Sequence, residues 1–183
     1  MRVISGTQKG KVLKTPEGLD TRPTTDKVKG AIFNIIQFEI ADKRILDLFG
    51  GSGQLAIEAI SRGAKSALIV DNSKKAVDII KENIKSCGFE DKISIHRGDY
   101  TDVLTKGSEY DVIFLDPPYA SDLLLKALRL IVEFDILSKD GIIVCETDAS
   151  SDFVGLFEGK YALREYKYGR IKLSVVRNSL TEE

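Results

Sequence analysis

The chain is poor in the residues that build metal centres and nucleophilic triads. A single histidine, His96, occurs in 183 residues. It falls in the strand-like run Ile93-Ser94-Ile95-His96, so a His-based metal site and a Ser-His-Asp triad are both set aside. The two cysteines, Cys87 and Cys145, lack metal-ligand spacing. Cys87 precedes Gly88 at a helix end and Cys145 lies in an apolar strand; both read as reduced, structural thiols of a cytoplasmic protein. No apolar run approaches the roughly 20 residues of a membrane span. The opening Met1-Arg2-Val3-Ile4-Ser5-Gly6 is not the pattern of a signal peptide. A Gly-Lys-Ser/Thr phosphate loop is missing, and no repeat, low-complexity stretch or long linker divides the chain. That leaves room for one domain, residues 39–183, with a small extension at residues 1–38.

Net charge is also small, at −1, but its distribution is uneven. Residues 1–30 carry +4 and residues 160–177 carry +5, which leaves −10 on the remaining 135. Basic ends around an acidic middle suit a local patch for phosphates.

Against these absences stands Asp116-Pro117-Pro118-Tyr119. It follows the apolar run Val112-Ile113-Phe114-Leu115, where a buried strand ends. The Pro-Pro step fixes the backbone between an acid and an aromatic ring. Such a corner suits a planar ring that carries an amino group. Earlier in the chain, Asp47-Leu48-Phe49-Gly50-Gly51-Ser52-Gly53 reads as a strand end, a glycine turn and a helix start. Glycines there let backbone approach a ligand closely.

The apolar pattern alternates strand and helix from residue 43 to about residue 146. Strands are expected over 45–49, 66–70, 93–96, 112–115 and 141–146, and helices over 55–61, 74–86 and 123–132. This is an α/β chain with a parallel sheet and helices on both faces. Residues 161–168 and 171–176 read as an antiparallel ribbon at one edge. The extension reads as a hairpin, Val3-Ile4 against Val12-Leu13, followed by a helix starting near Thr24 or Thr25. Its apolar stripe is Val28, Ala31, Ile32, Ile35 and Ile36, with Lys27 and Lys29 facing elsewhere.

In an open α/β sheet, ligands gather at the carboxyl ends of the strands. Asp47, Asp71, Asp99 and Asp116 are all expected on that edge. A row of carboxylates suits a cationic, amine-bearing ligand with a ribose, such as S-adenosylmethionine. A dinucleotide is the competing ligand, since Asp71 lies at the spacing of a ribose partner and Ala56 is permitted in place of the third glycine. Asp47 beside a pyrophosphate argues against it.

Asp47-x-Phe49-x-Gly51-x-Gly53 together with Asp116-Pro117-Pro118-Tyr119 resembles the class I amino-methyltransferases. Further segments narrow the resemblance to the bacterial small-subunit ribosomal RNA guanine-N2 methyltransferases of the RsmD type. They are Arg2-Val3-Ile4-Ser5-Gly6, Gly10-Lys11, Arg22-Pro23-Thr24-Thr25-Asp26, Ile32-Phe33-Asn34-Ile35, Glu58-Ala59-Ile60-Ser61-Arg62-Gly63-Ala64 and Tyr168-Gly169. The resemblance implies a Rossmann-like, mostly parallel seven-stranded sheet and S-adenosylmethionine as methyl donor. It implies that Gly51, Ser52 and Gly53 lie against the methionyl part, with Asp47 and Phe49 in the same motif. Asp71 and Asn72 would serve the ribose, and Asp99 and Tyr100 the adenine. Asp116, Pro117, Pro118 and Tyr119 would form the catalytic corner, with Asp116 bordering the donor as well. Arg2, Lys9, Lys11, Lys14, Arg22, Lys27 and Lys29 would contact RNA. Lys27 and Lys29 stand where arginine is usual, giving charge without a bidentate fork, and Asp71 stands where glutamate is frequent.

The implied reaction is methyl transfer to the exocyclic N2 amine of a guanine in small-subunit ribosomal RNA, by a monomer without metal or membrane, acting on an assembling subunit. The Asp116 carboxylate and a Pro-Pro carbonyl would accept the amine hydrogens and aim its lone pair, while Tyr119 stacks on the base, a contact worth ~1–3 kcal/mol. A DNA adenine-N6 methyltransferase uses the same corner and is one alternative. A non-catalytic nucleic-acid-binding module with this fold is the other.

Overall fold

The computed structural model describes residues 1–16, 26–117, 122–149, 157 and 161–178. Seven strands form one sheet: β1 (Arg44–Asp47), β2 (Ser66–Asp71), β3 (Ile93–Arg97), β4 (Tyr110–Leu115), β5 (Leu137–Asp148), β6 (Tyr161–Tyr168) and β7 (Ile171–Asn178). Their order is β3-β2-β1-β4-β5-β7-β6. Pairings from β3 through β5 are parallel. β7 is antiparallel to both its neighbours, so β6 again runs in the direction of β4. The order reverses between β1 and β4, which creates the crevice where an open sheet takes ligands.

Helices α1 (Asp26–Ile35), α2 (Gln54–Ser61) and α3 (Lys74–Cys87) pack on one face of the sheet, and α4 (Leu123–Glu133) packs on the other. α3 follows its sequence signals closely. The Ser73 hydroxyl accepts the Ala76 amide at 3.3 Å, and Gly88 closes the helix at φ 67°. Ala76, Val77, Ile80 and Ile84 face the core as the stripe requires.

β5 begins four residues earlier than its apolar run suggests. Leu137 pairs with Tyr110 before the register shifts, and Ser138-Lys139-Asp140-Gly141 stays in the strand through that irregularity. The opening segment differs too. Its two arms meet in one antiparallel bridge, Arg2 to Val12, and not in two-residue strands. The reason is a competing acceptor: Ile4 and Ser5 donate their amides to the Glu58 carboxylate of α2, at 2.7 and 3.0 Å. Gly6 lies so close to α2 that a Cβ there would stand 1.8 Å from the Ser61 carbonyl oxygen. Val3, Leu13, Val28, Ile32 and Phe33 share one core with Ile45, Val112 and Val144 of the sheet.

Candidate active site

The glycine turn sits at the end of β1, in the crevice. Gly50 is set by packing, since a Cβ there would lie 2.2 Å from Ile69 Cγ2. Gly51 differs: it adopts φ 55°, and an added Cβ would meet nothing within 4 Å among the described residues. Its backbone is therefore open to approach on that side. Gly53 adopts φ 75° and leads into α2. The Ser52 side chain is buried, and its carbonyl oxygen accepts a hydrogen bond from Asn83 Nδ2 at 2.9 Å.

Four carboxylates lie at the ends of β1 to β4, on the edge of the sheet that carries this turn. Asp71, at the end of β2, accepts the Gly51 amide at 2.9 Å and the Ser73 amide at 2.8 Å. A carboxylate has about four lone-pair sites, so this half-buried group keeps capacity for ligand hydroxyls. Asn72 follows it, exposed. Asp99, after β3, accepts the Thr101 amide at 2.9 Å and the Thr101 hydroxyl at 2.7 Å. Those bonds hold its carboxyl below the usual range. Tyr100 follows it, and its ring packs against Phe49 at 5.6 Å between centroids, joining the β1 turn to the β3 turn. Asp116 emerges from β4 half-buried, with Pro117 buried behind it. Pro118 and Tyr119 lie outside the described residues.

Asp47 stands apart. It lies beneath the turn at 1% exposure, and neither carboxylate oxygen has a hydrogen-bond partner among the described residues. Burial raises its pKa to about 7. The amides of Ala56 and Phe49 pull the other way without reaching hydrogen-bond geometry, and the Asp71 charge adds to the rise. A buried acid without a partner is costly when ionised. The unfolded chain loses this proton near pH 4 and the folded one near pH 7. The folded state therefore holds the extra proton in that window, and stability falls as pH rises through it. Asp47→Asn should remove that slope, about 1.4 kcal/mol per pH unit at most. Thermal midpoints measured from pH 4 to pH 8 should coincide at the acid end and favour the Asn variant at the alkaline end. Parallel profiles would mean that the carboxylate is solvated.

The basic residues separate into two groups. Arg2, Lys9, Lys11, Lys14 and Lys27 are exposed, with Arg2 paired to Asp26 at 3.5 Å and Lys14 paired to Glu82. Arg22 lies outside the described residues. Lys29 is corrected by the structure: its side chain is fully buried and cannot lie on an RNA-facing surface. Its ammonium donates to the Arg2 carbonyl at 2.6 Å and lies 3.4 Å from Glu58. Burial lowers its pKa, opposed by the Glu58 charge.

Glu58 and Asn83 are the functional residues that composition and motif left without a role. Glu58 accepts the Ile4, Ser5 and Arg62 donors and so fastens the basic segment to α2. Asn83, 1% exposed, exchanges two hydrogen bonds with the Lys14 backbone while holding the Ser52 carbonyl. The N-terminal segment and the glycine turn thus share one buried side chain. Both residues carried a signal. Glu58 interrupts the apolar run over residues 55–60 of α2, and Asn83 sits on the apolar stripe of α3. A polar group in either place must be paired.

Chains of known sequence and structure bear on this arrangement. The family model described as conserved hypothetical protein 95 matches residues 1–177. YlbH of Bacillus subtilis is 39% identical over 181 residues, covering 97% of this chain and 98% of its own. Ribosomal RNA small subunit methyltransferase D of Escherichia coli is 28% identical over 151 residues, 82% of this chain and 76% of its own. Among solved structures, the methyltransferase yhhF of Escherichia coli superposes with a TM-score of 0.85 at 27% identity, over 97% of each chain. SMU.776, solved in complex with SAH, shares the fold with a TM-score of 0.64 at 20% identity, over 82% of this chain and 48% of its own. With a turn open at Gly51, carboxylates at the ends of four parallel strands and a match over nearly its whole length, the chain belongs to the conserved hypothetical protein 95 family, the RsmD type of methyltransferase.

Proposed function

We propose that this protein transfers a methyl group from S-adenosylmethionine to the N2 amine of a guanine in small-subunit ribosomal RNA. The observation that carries the reading is the set of Asp47, Asp71, Asp99 and Asp116 on the sheet edge that carries a glycine turn open to approach at Gly51. Acidic groups there fit a ligand with a sulfonium, an ammonium and ribose hydroxyls. SAH in a protein of the same fold supports that donor, and the name of the Escherichia coli relative supports ribosomal RNA as acceptor.

Bound there, S-adenosylmethionine supplies a methyl group already made electrophilic by its sulfonium. The chain's own residues then have three tasks. Asp71 takes the ribose hydroxyls while its bond to the Gly51 amide keeps the turn in place. Asp99, Tyr100 and Phe49 border the adenine, and Asp47 packs beneath the turn. Asp116 accepts a hydrogen bond from the guanine amine. That localises a lone pair otherwise delocalised into the ring and aims it at the methyl, so orientation supplies much of the rate. The base must leave its stack to reach this corner. Arg2, Lys9, Lys11, Lys14 and Lys27 hold phosphates, which positions the RNA more than it specifies a sequence. Specificity then comes from the shape of a partly assembled subunit.

Labelled methyl transfer from S-adenosylmethionine to small subunits lacking their own modification, with nucleoside analysis, tests the reading. N2-methylguanosine is expected, at a higher rate on partly assembled particles than on naked RNA. Methyl label in duplex DNA as N6-methyl-2′-deoxyadenosine would replace this reading with the DNA enzyme. Donor binding with no product on either acceptor would retain only the cofactor.

A further inference from the structure

The two basic segments lie at opposite ends of the chain, yet the fold brings them together. α1 runs beside the edge strand β6, and between them lies an open groove of about 620 Å³. Asp26, Lys27, Asn34, Ile35, Tyr166 and Tyr168 are among its lining residues. Both tyrosines are half-buried against the core and leave part of their rings open. The acid in the lining, Asp26, is offset by Arg2 at 3.5 Å. Lys27 is exposed in the groove, Arg164 lies on the same face of β6 as the two tyrosines, and Arg170 is exposed in the turn after it, whereas Lys167 alternates to the opposite face. The groove thus has cationic groups beside its aromatic faces.

Strand register places this groove relative to the catalytic corner. Leu115 of β4 pairs with Cys145, Cys145 with Ser174, and Ser174 with Glu165 of β6. Because β4 and β6 run in the same direction, Tyr166 follows Glu165 toward the same sheet edge as Asp116 follows Leu115. Three strand spacings separate them, about 14 Å. The row Phe114, Val144 and Val175 lies on the α1 face, the face on which the groove opens.

We propose that this groove binds an unpaired nucleotide of the RNA strand that delivers the target base. Its base stacks on Tyr168, and its phosphate faces Lys27. The proposal rests on the reading of the protein as an RNA methyltransferase and adds a second contact on the same strand. Aromatic faces beside cations are how proteins hold unstacked bases, and continuity with the Asp116 edge puts that strand within reach.

The test uses the full chain and a short, unstructured, fluorescently labelled oligoribonucleotide. Tyr168→Leu keeps apolar packing and removes the stacking ring; Tyr168→Phe keeps the ring. Anisotropy should show roughly ten-fold weaker binding for Leu and wild-type binding for Phe, with S-adenosylmethionine affinity unchanged in both. An oligoribonucleotide carrying 5-iodouridine should crosslink to Tyr166 or Tyr168. Equal binding by the Leu and wild-type proteins, or crosslinks mapping only elsewhere, overturns the groove. An acidic peptide that competes while the oligoribonucleotide fails to bind overturns it as well. Tyr168-dependent binding without methyl transfer to ribosomal RNA would keep the groove and remove the acceptor assignment. Transfer with an unchanged KM in Tyr168→Leu would do the reverse.

Discussion

Asp116→Ala should lower methyl transfer at least a hundred-fold, the usual loss when a group that acts on the reacting atom is removed. S-adenosylmethionine affinity should stay within a few-fold of wild type. The separation follows from position. Asp116 leaves β4 one strand away from the glycine turn, whereas the turn itself is held by Asp71 through Gly51 and by Asn83 through Ser52. Removing one carboxylate at the corner leaves those bonds intact. Asp116→Asn is the sharper variant. It preserves volume and one acceptor oxygen but removes the charge, so an intermediate rate would assign part of the effect to electrostatics. Isothermal titration with the donor and single-turnover transfer to small subunits give the two readouts. Turnover near wild type in the Ala variant would remove Asp116 from the chemistry, and loss of both readouts would make it a donor ligand.

Most of the sheet was legible because its signals are local. Short apolar runs, helix stripes and stops such as Gly88 recur in a fixed alternation, and one right-handed crossover rule turns that alternation into a parallel sheet. The carboxylate edge followed from it, since every strand end of β1 to β4 is marked by an aspartate. The edge ribbon was legible as a pair, but its insertion order was not. That β7 lies between β5 and β6 depends on pairing across the chain, such as Cys145 with Ser174. The length of β5 was hidden for a related reason: Ser138-Lys139-Asp140-Gly141 has turn chemistry and no register partner on β4, and the strand extends past it only because Leu137 pairs with Tyr110.

Charge was the less reliable guide in the site. A lysine near a polar helix face reads as solvated, and Lys27 is. Lys29, two residues on, turns inward because the chain supplies a carboxylate and a carbonyl at the end of its side chain. The buried face of α1 is therefore Val28, Lys29, Ile32 and Phe33, rotated from the purely apolar stripe. Nothing within residues 26–36 announces this, because the partner lies on α2. Glu58 did announce itself, as a charge in an apolar run, and a search for its partner would have led to Lys29. Lys172 makes the same point: it belongs to the basic tail by sequence, yet it is 4% exposed and paired with Glu165 at 2.6 Å. The exposed basic set is therefore smaller than the sequence count.

The buried cluster predicts the largest loss of stability. In Glu58→Ala the Lys29 ammonium would remain in a closed site with only the Arg2 carbonyl, and the Ile4 and Ser5 amides would lose their acceptor. Arg62 would keep its place over the Phe33 ring, 4.7 Å from the centroid, without its carboxylate. Breaking one side of a buried pair costs about 3–5 kcal/mol, which in a chain of this length lowers the melting midpoint by roughly 10 °C. Replacing both partners, Lys29→Met with Glu58→Gln, should recover a large part of that loss, because the uncompensated charge is gone and Gln can still accept one of the two amides. The double variant separates the stability of the cluster from its task. If the cluster serves to hold the basic segment, the double variant should fold well and still bind RNA more weakly than wild type, with donor affinity retained through Asn83. Equal melting of Glu58→Ala and wild type would mean that water reaches the Lys29 site. Full RNA affinity in the double variant would mean that Val3, Leu13 and Asn83 suffice to place the segment without its buried charges.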